Sequence, residues 1–259
     1  MRDRHNYRTT IQTGTHAIVR DVVHTALTIG RMAIVRGPAG IGKSYAIEMV
    51  REELTQDDDD VLVLTASKPT GGAVTKFFGK ALVSLGIMGN GAVDPMERFE
   101  RFMLQSFPFR GHGARKVLVI DECQHLKATL IESLRDIYDR GDGGRKFDPA
   151  LPAFGLVLIG NDHFLTRGGR AERAAFEALL TRAPIEWEVA RPTSAEIEAL
   201  AEKLYPGAPD LQAELVSFGV KCRNFRQPAE SAELAAHMAG GGPVELAHLR
   251  RAILLSGGE

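Results

Sequence analysis

Eight consecutive residues of the sequence have the types and spacing of a loop that binds phosphate groups. They are Gly37, Pro38, Ala39, Gly40, Ile41, Gly42, Lys43 and Ser44, and Tyr45 follows them. Glycines let backbone N–H groups converge on phosphate oxygens without interference from Cβ atoms. The pattern G-x-x-x-x-G-K-[ST] also supplies Lys43 for the β- and γ-phosphates and the Ser44 hydroxyl for Mg²⁺. The sequence therefore predicts a nucleoside triphosphate site at residues 37–45.

Two acidic residues form a second chemical feature. Asp121 and Glu122 follow the apolar run 117–120, which predicts a buried strand. Carboxylates at the carboxyl edge of a parallel sheet face the ligand crevice. We expect Asp121 to bind the nucleotide's Mg²⁺ through water, and Glu122 to orient and polarise an attacking water. Glu122 favours hydrolysis over transfer to a substrate, because the acceptor of a kinase is the substrate itself.

Three more polar residues are candidates for contact with the γ-phosphate. Asn161 follows the apolar run 156–159 and one glycine. Its alternative role is to cap the next turn. Arg182 precedes the fifth apolar run and is a candidate to reach a neighbouring subunit. Arg226 opens a later helix. Because surface arginines are common, a solvated side chain remains the alternative for both.

The hydrophobic spacing predicts the elements that position these residues. Buried strands are predicted at 32–36, 61–64, 117–120, 156–159 and 185–189, with helices at 43–54, 74–85, 96–107, 130–138 and 172–180. Apolar strands that alternate with helices predict a parallel sheet covered on both faces. We expect Trp187 to lie in the core and residues 16–19 to form the wall of an adenine pocket.

The pattern becomes purely helical after Arg191. Thr193 and Glu196 predict a capping box, Asp210 is predicted to cap the next helix, and Pro243 to begin the last one. A further helix is predicted at 228–238. The expected domains are an α/β nucleotide-binding domain at 1–191 and a helical lid domain at 192–259.

The composition excludes several classes of protein. The 32 basic and 33 acidic residues leave a formal charge of −1, which argues against a protein that coats nucleic acid through positive charge alone. Cys123 and Cys222 form no Cys-x-x-Cys or Cys/His cluster, so a disulfide framework or zinc site is not expected. The sequence lacks an apolar run long enough to span a bilayer, and we expect a soluble, cytoplasmic protein without a membrane partner.

Taken together, these residues resemble the AAA+ ATPases. The phosphate loop, Asp121-Glu122, Asn161, Arg182 and the stretch 224–226 occur in the order of Walker A, Walker B, sensor 1, arginine finger and sensor 2. The resemblance implies a AAA+ P-loop NTPase core, an α/β fold with a parallel sheet and helices on both faces, followed by a small C-terminal all-α lid domain. It also implies a Mg²⁺-dependent ATPase that hydrolyses ATP.

More narrowly, the stretches 36–44, 120–126 and 134–138 resemble the MuB/TnsC group of transposition ATPases and their ExeA-type relatives. This resemblance implies that ATP assembles the protein into a homo-oligomeric ring or helical filament on double-stranded DNA. The assembly would recruit a transposase to target DNA. Hydrolysis would then disassemble it.

Contacts with DNA would come from the α/β core. The candidates are Lys68, Lys76 and Lys80, together with Arg145 and Lys146 in the glycine-rich loop predicted at 140–146. Such contacts would involve phosphates and would not depend on base sequence. A solvated positive face is the alternative. Two other functions stay open, an ExeA-like protein-assembly switch without DNA binding and a P-loop kinase for a small molecule.

Overall fold

The computed structural model describes residues 11–55, 60–69, 73–87, 93–104, 116–143, 153–162 and 169–257. The strands are β1 (Met32–Arg36), β2 (Asp60–Thr65), β3 (Lys116–Asp121), β4 (Gly155–Gly160) and β5 (Ile185–Glu188). The helices are α1 (Gly14–Ile29), α2 (Lys43–Thr55), α3 (Val74–Ser84), α4 (Pro95–Leu104), α5 (Ala128–Gly143), α6 (Arg170–Leu180), α7 (Ser194–Leu204), α8 (Pro209–Cys222), α9 (Arg226–Met238) and α10 (Leu246–Leu255). A 3-10 helix, Cys123–His125, follows β3.

The five strands form a parallel sheet in the order β2-β3-β4-β1-β5, which confirms the predicted parallel pairing. Strand β4 lies between β1 and β3, so the carboxyl ends of these three strands are neighbours. The phosphate loop follows β1, Asp121 ends β3, and Asn161 follows β4. The strand order therefore places three predicted functional segments at one edge of the sheet.

Helices cover both faces of the sheet. Alternate residues of the central strands, such as Ile34, Leu118 and Leu158, pack with α3 to α6 in one hydrophobic core. The intervening residues are equally buried, and α1 packs on their side. A Cβ at Gly155 would lie 2.3 Å from the Ala26 carbonyl oxygen, so α1 approaches β4 at backbone distance here.

Helix α1 is an element that our sequence analysis missed. Its buried residues are Val19, Val22, Val23, Ala26 and Leu27, which is the i, i+3, i+4, i+7, i+8 spacing of one helix face. The signal was therefore present in the sequence. Residues 16–19, predicted as an adenine wall by position, lie within this helix.

Two expectations about exposed parts of the α/β region were wrong. Trp187 is 50% exposed, because β5 pairs only with β1 among the described strands and lies at an edge of the sheet. Residues 140–143, predicted as the start of a flexible loop, continue helix α5. The side chain of Arg140 forms an ion pair with Glu100 at 2.6 Å. Cys123, by contrast, is fully buried.

The predicted helical segment contains α7 to α10, which enclose a small core that includes Ala201, Leu215, Ala235 and Leu249. The capping box is confirmed, since Thr193 accepts from the Glu196 backbone and Glu196 accepts from the Thr193 backbone. Two other predicted helix starts were wrong. Asp210 does not cap α8, whose N-cap position is Ala208, and Pro243 does not begin α10, whose N-cap position is Glu245.

The physical reasons differ between these two helix starts. Pro209 occupies the first turn of α8, where its missing N–H costs nothing, and Asp210 lies inside that turn. Pro243 lies before α10, whose N-terminus is closed by a box between Glu245 and His248.

Contacts divide the chain into two compact units. One unit contains the described residues from 11 to 17, from 38 to 43 and from 190 to 257, and the other contains those from 18 to 37 and from 44 to 189. We call them the lid unit and the sheet unit. Within the described ranges, no helix is long and apolar enough to cross a bilayer.

Candidate active site

Ser44 and Asp121 meet in the sheet unit although 77 positions separate them in the sequence. The Ser44 hydroxyl donates to Oδ2 of Asp121 at 2.6 Å, and the Glu122 backbone N–H donates to Oδ1 at 2.8 Å. Asp121 is only 5% exposed. A buried carboxylate is tolerated when it accepts hydrogen bonds, and here both oxygens accept one. The sequence analysis predicted strands but no strand order, so it could not show this contact.

These two side chains fit a magnesium ion that a nucleotide brings. Hydroxyl and carboxylate oxygens are hard donors, and Mg²⁺ in phosphate sites takes one or two protein ligands while phosphates and water supply the others. Among the described residues, no group of three or more His, Cys, Asp or Glu side chains could hold a metal by itself. The donor set therefore suits a metal that binds with the nucleotide.

Glu122 has an unusual backbone conformation. Its φ of 55° and ψ of 36° lie in the left-handed region, which costs a non-glycine residue about 1–2 kcal/mol. Cys123, fully buried, begins the 3-10 helix that follows. Strain of this kind is concentrated at functional sites, where the surrounding packing holds it in place. The Glu122 side chain is 41% exposed, so water has access to its carboxylate.

A side-chain bridge links Glu122 to strand β4, and it was not foreseen from the sequence. Nε2 of Gln124 donates to Oε2 of Glu122 in a very short hydrogen bond. Oε1 of Gln124 accepts from the Asn161 backbone N–H at 3.3 Å. The Asn161 backbone is therefore connected to Glu122 through the side chain of Gln124. His125 is further away, with Nε2 3.8 Å from Oε2 of Glu122.

The phosphate loop itself belongs largely to the lid unit. Gly40 and Gly42 have φ values of 79° and 88°, which explains the need for glycine at both positions. The Lys43 ammonium donates to the Pro38 carbonyl oxygen at 2.6 Å, and the Thr15 hydroxyl donates to the Ile41 carbonyl oxygen at 2.9 Å. Lys43 therefore lies along its own loop. Thr15 is a contact that the sequence analysis did not anticipate.

The start of helix α9 is joined to the same loop. The Gly40 carbonyl oxygen accepts from the backbone N–H groups of Phe225 and Arg226 at 2.9 and 3.2 Å. A Cβ at Gly40 would lie 3.3 Å from the Cβ atoms of Asn224 and Arg226. The backbone of Arg226 is thus adjacent to the phosphate loop, and its side chain is exposed. The predicted position of Arg226 at a helix start is confirmed.

Glu196 joins the amino end of α1 to the first helix of the lid. Its carboxylate accepts from the Gly14 N–H at 2.7 Å, and from the Thr193 N–H and hydroxyl at 2.8 and 2.9 Å. Burial of the carboxyl group acts to raise its pKa, but hydrogen bonds from Thr193 and Gly14 outweigh this, and the pKa is lowered. Glu196 therefore acts within the lid unit as an anchor as well as a cap.

Arg182 lies near the amino edge of the sheet, whereas Ser44 and Asp121 lie at its carboxyl edge. It precedes β5, which runs parallel to β1, and Ser44 follows β1 in the sequence. The five residues of β1 span roughly 16 Å, which is more than an arginine side chain reaches. Within the sheet unit, Arg182 is therefore not brought together with Ser44 or Asp121.

Asp139 holds the guanidinium of Arg182 in a bidentate pair. Nε and Nη2 donate to the two carboxylate oxygens at 2.6 and 2.8 Å. The hydrogen bonds that Arg182 donates to Asp139 raise the pKa of Arg182, so the side chain stays charged. A pocket of about 420 Å³ beside it is lined by Arg31, Tyr138, Thr181, Arg182 and Pro184. Asp139 was not identified from the sequence, because 43 positions separate it from Arg182.

The candidate DNA contacts lie elsewhere on the surface. Lys68, in the turn after β2, and Lys76 and Lys80, on one face of α3, are all exposed. The opposite face of α3 is buried through Phe77, Phe78, Ala81 and Leu82. Arg145 and Lys146 lie outside the described residues.

Comparisons with known proteins agree with this fold. A family model described as an AAA domain matches residues 29–167, more than half of the chain. No curated protein matches the sequence. The Aeropyrum pernix ORC2 protein, solved as ADPNP-ADP complexes, is similar with a TM-score of 0.65 and 12% identity, covering 94% of this chain and 67% of that chain.

Two further structures have the same architecture. Cdc6p from Pyrobaculum aerophilum has a TM-score of 0.67 and 12% identity, covering 95% of this chain and 68% of that chain. Domain III of the Thermotoga maritima replication initiation protein DnaA has a TM-score of 0.55 and 14% identity, covering 96% and 94%. At these identities the likeness shows the fold alone. The family match extends from before β1 to beyond β4 and includes the phosphate loop, Asp121, Glu122 and Asn161. With its parallel sheet and AAA+ P-loop NTPase fold, the chain belongs to the AAA domain family.

Proposed function

We propose that this protein is a Mg²⁺-dependent ATPase that assembles on double-stranded DNA when ATP is bound, selects target DNA and recruits or activates a transposase. The ATPase part rests on one observation above all. The Ser44 hydroxyl and the Asp121 carboxylate, from the two sequence motifs of a nucleotide site, are 2.6 Å apart at the carboxyl edge of the sheet. Family membership and the nucleotide complexes of the Aeropyrum protein support the same proposal.

In the proposed reaction, residues 37–45 bind the ATP phosphates and Lys43 neutralises the β- and γ-phosphates. A phosphate oxygen is a stronger acceptor than the Pro38 carbonyl that Lys43 contacts, because the bond is charge-assisted. Ser44 and, through water, Asp121 would hold Mg²⁺, which would offset the negative charge of the phosphates.

Hydrolysis itself needs an oriented water. Glu122 takes a proton from that water while the water oxygen attacks the γ-phosphorus. The bond from this phosphorus to the bridging oxygen breaks and leaves ADP and inorganic phosphate. Asn161 contacts the γ-phosphate. The 41% exposure of Glu122 supports the role, since a general base must be reachable by water.

A helical lid at 192–259 would follow the nucleotide-binding domain at 1–191 and respond to the nucleotide through Arg226. The two hydrogen bonds from the start of α9 to the Gly40 carbonyl support this part of the proposal. A change in the loop on nucleotide binding would be passed directly to α9. Arg226 would then contact the phosphates as a sensor.

The position of Arg182 supports assembly into oligomers. Because Arg182 lies at the sheet edge opposite Ser44 and Asp121, we propose that it acts on ATP bound by a neighbouring copy. Such a head-to-tail interface generates a closed ring or an open helical filament, depending on the rotation per subunit. The ion pair with Asp139 would keep the guanidinium charged and ordered until it reaches a phosphate.

DNA would be bound through phosphate contacts repeated over many subunits. Exposed Lys68, Lys76 and Lys80 are the described candidates, and Arg145 and Lys146 are further ones from the sequence. A net charge of −1 excludes strong binding by a single subunit through bulk charge, so assembly would be needed for affinity. The transposition role comes from the resemblance to the MuB/TnsC group.

The test measures anisotropy of a labelled random-sequence duplex with no nucleotide, ADP, ATP or a non-hydrolysable ATP analogue. We expect cooperative, salt-sensitive binding with the triphosphates, and its loss in Lys43→Ala, which should not bind nucleotide. Glu122→Gln should bind ATP, barely hydrolyse it, and stay assembled on DNA.

The opposite results are equally informative. A wild-type protein that hydrolyses ATP but ignores DNA at every nucleotide state would support an ExeA-like protein-assembly switch instead. Rapid turnover by Glu122→Gln would remove Glu122 from the reaction.

A further inference from the structure

Gln124 stands between two groups that the proposed reaction uses. Its side chain contacts the carboxylate of Glu122 on one side and the backbone of Asn161 on the other. The contact with Glu122 is local, two positions away, whereas Asn161 is 37 positions away and reaches Gln124 only through the fold. The geometry points to Gln124 as a positioning residue that fixes the Glu122 carboxylate relative to the end of β4, an inference that rests on the ATPase function proposed above.

The chemistry of the two neighbours selects a carboxamide at this position. The Asn161 N–H can only donate, so it must face Oε1 of Gln124. The ionised Glu122 carboxylate accepts hydrogen bonds and donates none, so it must face the amide NH2 group at Nε2 of Gln124. A flipped amide would place Nε2 of Gln124 against the Asn161 N–H and Oε1 of Gln124 against the Glu122 carboxylate, and neither pair can form a hydrogen bond. The orientation of Gln124 is therefore fixed by both partners together.

The backbone conformation of residues 122–124 positions the side chain of Gln124. Glu122 is in the left-handed region, and buried Cys123 starts the 3-10 turn that carries Gln124. The turn aims Gln124 back across the carboxyl edge of the sheet, where β3 and β4 are paired neighbours. The left-handed residue thus has a structural purpose, because it reverses the chain so that residue 124 reaches residue 122.

The bridge couples two roles that would otherwise be separate. Asn161 is proposed to contact the γ-phosphate with its side chain, while its backbone N–H is bonded to Gln124. Any shift of Asn161 on nucleotide binding moves Gln124, and Gln124 moves the carboxylate that orients water. The base is then in its working position only when the end of β4 is in place.

The experiment replaces Gln124 with Met, which keeps the length of the side chain without a donor or acceptor, and with Glu, which keeps its shape but cannot donate to Glu122. We expect kcat for ATP to fall about 10- to 100-fold in both variants, because a displaced Glu122 carboxylate no longer orients the attacking water. The KM for ATP should change less than about threefold, since the phosphate loop and Mg²⁺ ligands are unaltered.

Two controls separate positioning from a general loss of structure. Gln212→Ala removes another glutamine, whose Nε2 donates to the Tyr205 carbonyl oxygen at 2.7 Å in the lid unit, and its kcat should match the wild type. In a Glu122→Gln background, Gln124→Met should cause no further loss. Groups that act as one unit are non-additive in this way.

The outcomes are distinct from those that test the ATPase function. A wild-type protein without ATPase activity would overturn the proposed function, and this inference with it. With an active wild type, a kcat within about threefold of normal in both Gln124 variants would overturn the positioning role alone. An equal loss in the Glu122→Gln background would do the same, since it would show that Gln124 acts independently of Glu122.

Discussion

Replacing Gly155 with alanine should destabilise the sheet unit, because β4 meets α1 at this residue. The added methyl carbon would lie 2.3 Å from the Ala26 carbonyl oxygen and 2.6 Å from the carbonyl carbon, whereas ordinary contact begins at 3.4 Å. The two backbones would have to separate by roughly 1 Å, the difference between the contact distance and the observed one. Neither neighbour is a flexible side chain, so rotation of a rotamer cannot relieve the overlap.

The expected cost follows from this geometry. Overpacking of a core costs about 1–3 kcal/mol, and we expect about 3 kcal/mol here because backbone must move. The displaced helix carries the buried residues Val22, Val23, Ala26 and Leu27. In a domain of 150–250 residues each kcal/mol shifts the Tm by about 2–4 °C, so the Tm should fall by roughly 6–12 °C.

A second glycine in the same unit supplies a matched control. Gly79 lies in helix α3, and a Cβ there would meet nothing within 4 Å. Gly79→Ala should therefore stabilise the helix by about 0.5–1 kcal/mol through backbone entropy. Thermal unfolding followed by circular dichroism compares both variants with the wild type. A Gly155→Ala protein that melts at or above the wild-type temperature would refute the close approach of α1 to β4.

Two further predictions concern the neighbouring subunit and the lid. Arg182→Ala should bind ATP but lose hydrolysis in the assembled state. Mixing it with inactive Lys43→Ala should restore part of the ATPase rate, because the first variant supplies an intact nucleotide site and the second supplies Arg182. No recovery on mixing would place Arg182 outside the reaction. The pKa of Glu196 is lowered on folding, so its carboxylate contributes stability above the 4.5 of a free glutamate, and this contribution is lost as the pH falls through the folded pKa. Glu196→Gln should thus lower the Tm at neutral pH and approach the wild type in acid; a constant difference across this range would contradict the role of the charge.

Local patterns were sufficient for most elements of the α/β region. The runs at 32–36, 117–120 and 156–159 are apolar and β-branched, and each is a buried strand in the sheet. The failures occurred where a residue's environment depends on distant partners. Trp187 lies in a strand as expected, yet it is exposed, because β5 is the last strand of the sheet in the part of the chain that the structure describes. Strand propensity carries no information about which strand becomes an edge.

The sequence by itself determined which chemical groups are present. A loop of three glycines with Lys43 and Ser44 suits phosphate and Mg²⁺, and an acid pair after an apolar strand suits Mg²⁺ and water. Only the tertiary structure decided which groups touch. The strand order β2-β3-β4-β1-β5 brings Asp121 to Ser44 and Gln124 to Asn161, and it carries Arg182 to the far edge beside Asp139. These contacts span 37 to 77 positions of sequence, so they depend on how helices and strands pack and not on local propensity.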